Sequence, residues 1–119
     1  MRVLLVDDEE ELVSALAERL SLRGIDAEWA STCQDALRRV ESQTFDIAVL
    51  DVKMPKMSGL ELKKKLQEKC PAMKFIFVTG HGSEDYFQEA LRQSGAAYYL
   101  VTPLHIEALI EKMHEAVKE

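Results

Sequence analysis

No stretch of the chain approaches the roughly 20 consecutive apolar residues that a membrane-spanning helix needs. The first residues, Met1-Arg2-Val3-Leu4-Leu5-Val6-Asp7-Asp8, meet acid too soon to hold the apolar segment and cleavage site of a secretory signal. A cytoplasmic protein with no membrane contact is therefore expected. Basic residues are outnumbered, 15 Lys and Arg against 21 Asp and Glu, for a net charge of −6. Gripping a phosphate backbone takes a basic face, so direct nucleic-acid binding is not expected. The one basic run, Lys63-Lys64-Lys65, sits in a helical pattern and reads as a solvated face. Cysteine is scarce: Cys33 and Cys70, with His81, His105 and His114, show no metal-ligand spacing, and both thiols are expected to be reduced. There is no repeat, low-complexity tract or Gly/Ser linker, and residues 1–119 are expected to form one domain.

What the chain does have is regular alternation of short β-rich runs with longer helical patterns. Val3-Leu4-Leu5-Val6 is apolar throughout, as in a strand buried on both faces of a parallel sheet. Leu12, Leu16 and Leu20 follow at helical spacing, and Gly24 ends that helix. A weaker strand is expected from Ile25 to Ala30, then a helix capped by Ser31 or Thr32 and running to about Ser42. Phe45 to Leu50 reads as the third strand, apolar apart from Asp46. A helix capped by Ser58 should end near Cys70, stopped by Pro71. Lys74 to Val78 gives a fourth strand, Ser83 to Gly95 a fourth helix, and Ala97 to Val101 a fifth strand. Pro103 opens a last helix with Ile106, Leu109, Ile110, Met113 and Val117 on one face.

Five βα units with right-handed crossovers give an α/β doubly wound parallel sheet covered by helices on both faces. Ligands bind such sheets beyond the carboxyl ends of the strands. Those ends carry Asp7-Asp8 after the first strand, Asp51 after the third, Thr79 after the fourth and Thr102 after the fifth. Singly, each has a plain structural explanation: the acidic pair suits a helix N-terminus, Asp51 a loop cap, and Thr79 a strand. Together, three convergent carboxylates raise one another's pKa or demand a cation, and hard oxygen ligands with open positions suit Mg²⁺. With the charge neutralised, Asp51 can attack phosphorus as a nucleophile. The Thr79 hydroxyl can hydrogen-bond a phosphoryl oxygen, and Gly80 and Gly82 around His81 leave that loop open to a close approach.

Val6-Asp7-Asp8-Glu9, the run Asp51-Val52-Lys53-Met54-Pro55-Lys56-Met57-Ser58-Gly59, Val78-Thr79-Gly80, and Gly95 through Pro103 together resemble the response-regulator receiver family. The resemblance covers essentially the whole chain. It implies a (βα)5 flavodoxin-like fold of strand order 2-1-3-4-5, with Asp51 as phosphoacceptor. It further implies Asp8 as a direct Mg²⁺ ligand, Asp7 as one acting mainly through water, and the backbone carbonyl of Lys53 as a third protein ligand. Thr79 and Tyr99 match the family's switch pair, although Tyr99 also suits a half-buried place on an edge strand.

The implied function is a two-component signalling switch. A sensor histidine kinase or phosphotransfer protein donates the phosphoryl group. A downstream effector domain, an effector protein or a second copy reads the surface of the fourth helix, fifth strand and fifth helix. Phosphotransfer and dephosphorylation on itself do not make such a domain an enzyme in the ordinary sense.

One departure stands out. The family carries a lysine immediately before the proline after the fifth strand; here Thr102 precedes Pro103. Threonine cannot supply the charge-assisted contact that an ammonium makes to the phosphoryl group. Lys53 is the candidate to compensate, by leaning its amine over the pocket, although a loop lysine more often faces solvent, and His81 is a second pocket-rim residue. Thr102 also admits a second reading, a phosphorylation-independent pseudo-receiver that binds partners through the fold alone. A phosphohydrolase acting through an aspartyl-phosphate is disfavoured, because Lys53 stands where such enzymes carry a second aspartate.

Overall fold

Strand β1 (Arg2–Val6) lies in the interior of the sheet because none of its last four residues can be left in water. Val3, Leu4, Leu5 and Val6 are all buried. The structure, a computed structural model, describes residues 1–52, 59–79, 98–101 and 105–118. In these, β1 is followed by α1 (Glu10–Leu22), β2 (Asp26–Ala30), α2 (Cys33–Ser42), β3 (Ile47–Asp51) and α3 (Gly59–Lys69). Then come β4 (Lys74–Thr79), β5 (Tyr98–Val101) and the C-terminal helix, here α4 (Ile106–Val117). The five strands pair in parallel in the order β2-β1-β3-β4-β5, the expected doubly wound arrangement. The expected helix from Ser83 to Gly95, the Ser58 cap and Pro103 lie outside the described residues.

Strand side chains alternate faces, and this splits the core in two. Leu4, Val6, Ala48, Leu50, Phe75 and Phe77 pack with Ala36, Val40, Leu62 and Leu66 of α2 and α3. Val3, Leu5, Ile47, Val49, Ile76 and Val78 pack on the other side with Val13, Ala17 and Leu20 of α1 and Ile106, Leu109 and Met113 of α4. The edge strand β2 is only half covered and carries charge instead. Arg2 pairs with Asp26 at 3.0 Å, and Arg39 with Glu28 at 2.8 Å.

Local signals fix the helix ends. The Asp35 amide donates to the Thr32 hydroxyl at 3.0 Å, so Thr32, of the two candidates, caps α2. Gly24 adopts φ +81° and closes α1 in a Schellman arrangement: its N–H donates to the Ser21 carbonyl and the Ile25 N–H to that of Leu20. The inward face of α1 differs from the leucine stripe the sequence suggested. Val13, Ala17 and Leu20 are buried, whereas Leu12 is 54% exposed. On α4, Ala116 is buried and the expected Val117 is 40% exposed. Asp46, the polar exception near the third strand, accepts the Arg2 N–H at 2.8 Å and aligns β3 with β1.

Candidate functional site

Register brings the acidic residues together. Val6 of β1 lies opposite Leu50 of β3, so the next residues, Asp7 and Asp51, are neighbours across the strand gap where strand order reverses. Asp7 continues the alternation of Val3 and Leu5, and Asp51 that of Ile47 and Val49, so both are directed to the side covered by α1. Asp8 joins them. Each of the three offers a carboxylate oxygen, and these oxygens all lie within 4.8 Å of one another.

Asp7 and Asp51 are half-buried and Asp8 is exposed. An Asp7 carboxylate oxygen accepts the Glu9 N–H at 2.9 Å, an Asx-type turn that leads the chain from β1 into α1. Burial pushes the Asp7 carboxyl above its ordinary range, and repulsion from Asp8 and Glu9 adds to this against the opposing Glu9 hydrogen bond. A carboxylate set of this kind fits a hard divalent cation with room left for water or a phosphoryl oxygen. Glu10 and Glu11 stand in the first turn of α1, where the helix dipole accounts for them.

A cavity of about 440 Å³ opens beside the carboxylates, between α1 and the sheet. Leu5, Val49 and Val78 line it from the strands, Leu12, Val13 and Leu16 from α1, with Asp7, Glu9 and Asp51 at its polar end. Nothing in the residue pattern signals this space, because it depends on how α1 rides over the sheet.

The peptide after Asp51 is held on both sides. Asp51 pairs with Val78, and the Val52 N–H donates to the Val78 carbonyl at 3.0 Å. The Val52 carbonyl in turn accepts the Gly59 N–H at 2.9 Å. Thr79 ends β4 opposite Val101, and Tyr99 lies opposite Phe77 in β5. The side chains of Thr79 and Tyr99 lie outside the described residues, as do Lys53, Gly80, His81, Thr102 and Pro103. Neither cysteine is in a disulfide. Among the described residues no helix is long and apolar enough to cross a membrane.

The sequence matches the family model for the response regulator receiver domain over residues 3–114. The response regulator protein FleR of Pseudomonas aeruginosa is 34% identical over 92% of this chain and 23% of its own length. YesN of Bacillus subtilis, described as an uncharacterized transcriptional regulatory protein, is 31% identical over 99% of this chain and 33% of its own length. The chain thus spans a third or less of these two relatives. The crystal structure of a CheY-like response regulator receiver domain protein from Methanospirillum hungatei matches with a TM-score of 0.87 and 32% identity, over 98% of this chain and 93% of that one. With the parallel order β2-β1-β3-β4-β5 and a carboxylate cluster at its switch point, the chain belongs to the response regulator receiver domain family.

Proposed function

We propose that residues 1–119 act as one receiver domain that takes a phosphoryl group on Asp51 from a phosphohistidine of a sensor histidine kinase or phosphotransfer protein. The observation that carries this reading is the convergence of Asp7, Asp8 and Asp51 within 4.8 Å at the strand ends. In the transfer, an Asp51 carboxylate oxygen forms the new O–P bond as the P–N bond to the donor imidazole breaks, and the electron pair stays on that nitrogen. Asp7, Asp8, Asp51 and the Lys53 backbone carbonyl would hold Mg²⁺. When bound, that ion would neutralise the carboxylates and the incoming phosphoryl oxygens.

Downstream, Thr79 and Tyr99 would form the switch, with Gly80, His81, Lys53, Thr102 and Pro103 around the pocket rim. The effector would read the surface that includes β5 and α4, where Glu107 and Glu111 are exposed. A population shift between two surfaces suffices if partners prefer one of them. The similarity to part of longer regulatory proteins supports an effector domain or protein as the recipient, with a homodimer through the same surface as another arrangement. The domain works in the cytoplasm and touches neither nucleic acid nor membrane itself.

The second reading, a pseudo-receiver that binds partners without phosphorylation, rests on Thr102 in the place of the family's lysine. Incubation with a small phosphodonor and Mg²⁺ separates the two. A stoichiometric acid-labile phosphoryl group on Asp51 supports the first, and its complete absence supports the second.

A further inference from the structure

We infer that Gly59 is a positioning residue for Asp51: α3 begins with glycine because the backbone of the phosphoacceptor occupies the space a side chain would need. This rests on the reading of Asp51 as phosphoacceptor. A Cβ at position 59 would collide with the Asp51 carbonyl oxygen, and would stand 3.0 Å from the carbonyl carbon and 3.1 Å from the Val52 Cα. All three are backbone atoms, so no side chain can swing aside. Backbone conformation does not explain this glycine: Gly24 carries a positive φ, and Gly59 does not. By intrinsic propensity alone, alanine would favour the helix here. The requirement for glycine is one of space.

The contact bears directly on the site. The Asp51–Val52 backbone is clamped between β4, through the bond from Val52 N–H to the Val78 carbonyl, and α3, through the bond from Gly59 N–H to the Val52 carbonyl. A methyl group at 59 must either drive α3 off and break the 2.9 Å bond, or turn the Asp51 peptide. Turning that peptide reorients the Asp51 Cα–Cβ bond and carries its carboxylate away from Asp7 and Asp8. Since effective alignment is worth large factors in rate, a displacement of about 1 Å is enough to slow transfer by roughly 10²-fold. The effect crosses the sheet: α3 lies on one face, and the carboxylate is directed to the other.

The test compares Gly59→Ala with Leu66→Ala, a buried residue about two turns further along the same helix. Each is measured for urea stability, for the ¹⁵N–¹H shifts of Asp51 and Val52, for Mg²⁺ affinity, and for phosphorylation by a small phosphodonor. Gly59→Ala should displace both amides, weaken Mg²⁺ and slow phosphorylation at least tenfold. Leu66→Ala should lose stability yet keep its phosphorylation rate and Mg²⁺ affinity within twofold of the parent. Wild-type rate and affinity in Gly59→Ala, or an equal loss in Leu66→Ala, overturns the inference. Should Gly59→Ala not fold, Mg²⁺ titration of the unmodified protein decides: the Gly59 amide must shift with the same midpoint as Asp51, and a silent Gly59 refutes the coupling. Should the parent take no phosphoryl group, the phosphoacceptor reading fails instead, and Gly59 is judged on amide shifts and Mg²⁺ affinity alone.

Discussion

The two faces of the sheet treat the same strand in opposite ways. On the α2 and α3 side, the residues behind the site are packed tightly: Ala48, Leu50, Leu62, Leu66 and Phe77 have no exposure. On the α1 and α4 side, a cavity of about 440 Å³ reaches from Val49 and Val78 to the carboxylates, and Leu16 of α1 is only half-buried beside it. The packed face fixes the backbone of Asp51 through Gly59 and Val52. The open face leaves its carboxylate approachable. The role proposed for Asp51 needs both, a fixed nucleophile and access for a donor, and β3 divides these between alternate residues.

Truncation should break this contrast most sharply. Leu66→Ala, on the packed face, should cost about 2–5 kcal/mol in urea unfolding followed by Trp29 fluorescence. Leu16→Ala, beside the cavity, should cost less than about 1 kcal/mol, because its side chain gives up little burial. Equal losses would mean that the cavity is closed in solution.

The carboxylate cluster supplies the next test. Mg²⁺ at about a hundredfold its dissociation constant should raise the stability of the parent by roughly 2.7 kcal/mol through mass action. Asp8→Asn should lose that gain. Without metal, the same variant should be no less stable than the parent, because one of three mutually repelling charges is removed. Equal Mg²⁺ stabilisation of parent and variant would remove Asp8 from the ligand set.

Enlarging neighbouring residues of β3 should have opposite effects on the two faces. Ala48→Val overpacks the filled side and should destabilise by about 1–3 kcal/mol. Val49→Ile projects into the cavity and should stabilise by up to about 0.8 kcal/mol. Thermal melts that move in the same direction for both would contradict the difference in packing.

The smallest effect concerns Cys33. Burial, helped by the negative charge of Glu61, pushes its thiol above the ordinary range of a cysteine. The folded state therefore holds its proton where the unfolded chain releases it, so this contribution to stability is complete below pH 9 and is lost as pH rises through the folded-state value. At pH 8, alkylation should fall on the more accessible Cys70 and leave Cys33 largely unmodified, with Cys33 labelled as the solution becomes more alkaline. Peptide mapping that shows Cys33 labelled first at pH 8 would contradict its burial.

The sequence made β1 and β3 legible because both are buried on two faces, so residues 3–6 and 47–50 are apolar throughout until the chain reaches a carboxylate. The site followed from the same pattern: once those strands are parallel neighbours, Asp7 and Asp51 must adjoin. The inward face of α1 was harder to read. Val13, Ala17 and Leu20 compete with Leu12, Leu16 and Leu20 at similar spacing, and only the docking angle on the sheet selects the set containing the small Ala17. Gly59 was visible as part of a motif, but not as a contact, because its partner is a backbone carbonyl that any sequence would possess. The cavity could not be read at all, since a void has no residues of its own.

Phosphorylation of Asp51 tests the central claim most directly. Incubated with a small phosphodonor and Mg²⁺, the parent protein should acquire one acid-labile phosphoryl group per chain, mapped by mass spectrometry to Asp51 and absent from Asp51→Asn. An unmodified parent, or label that persists in Asp51→Asn, would contradict it.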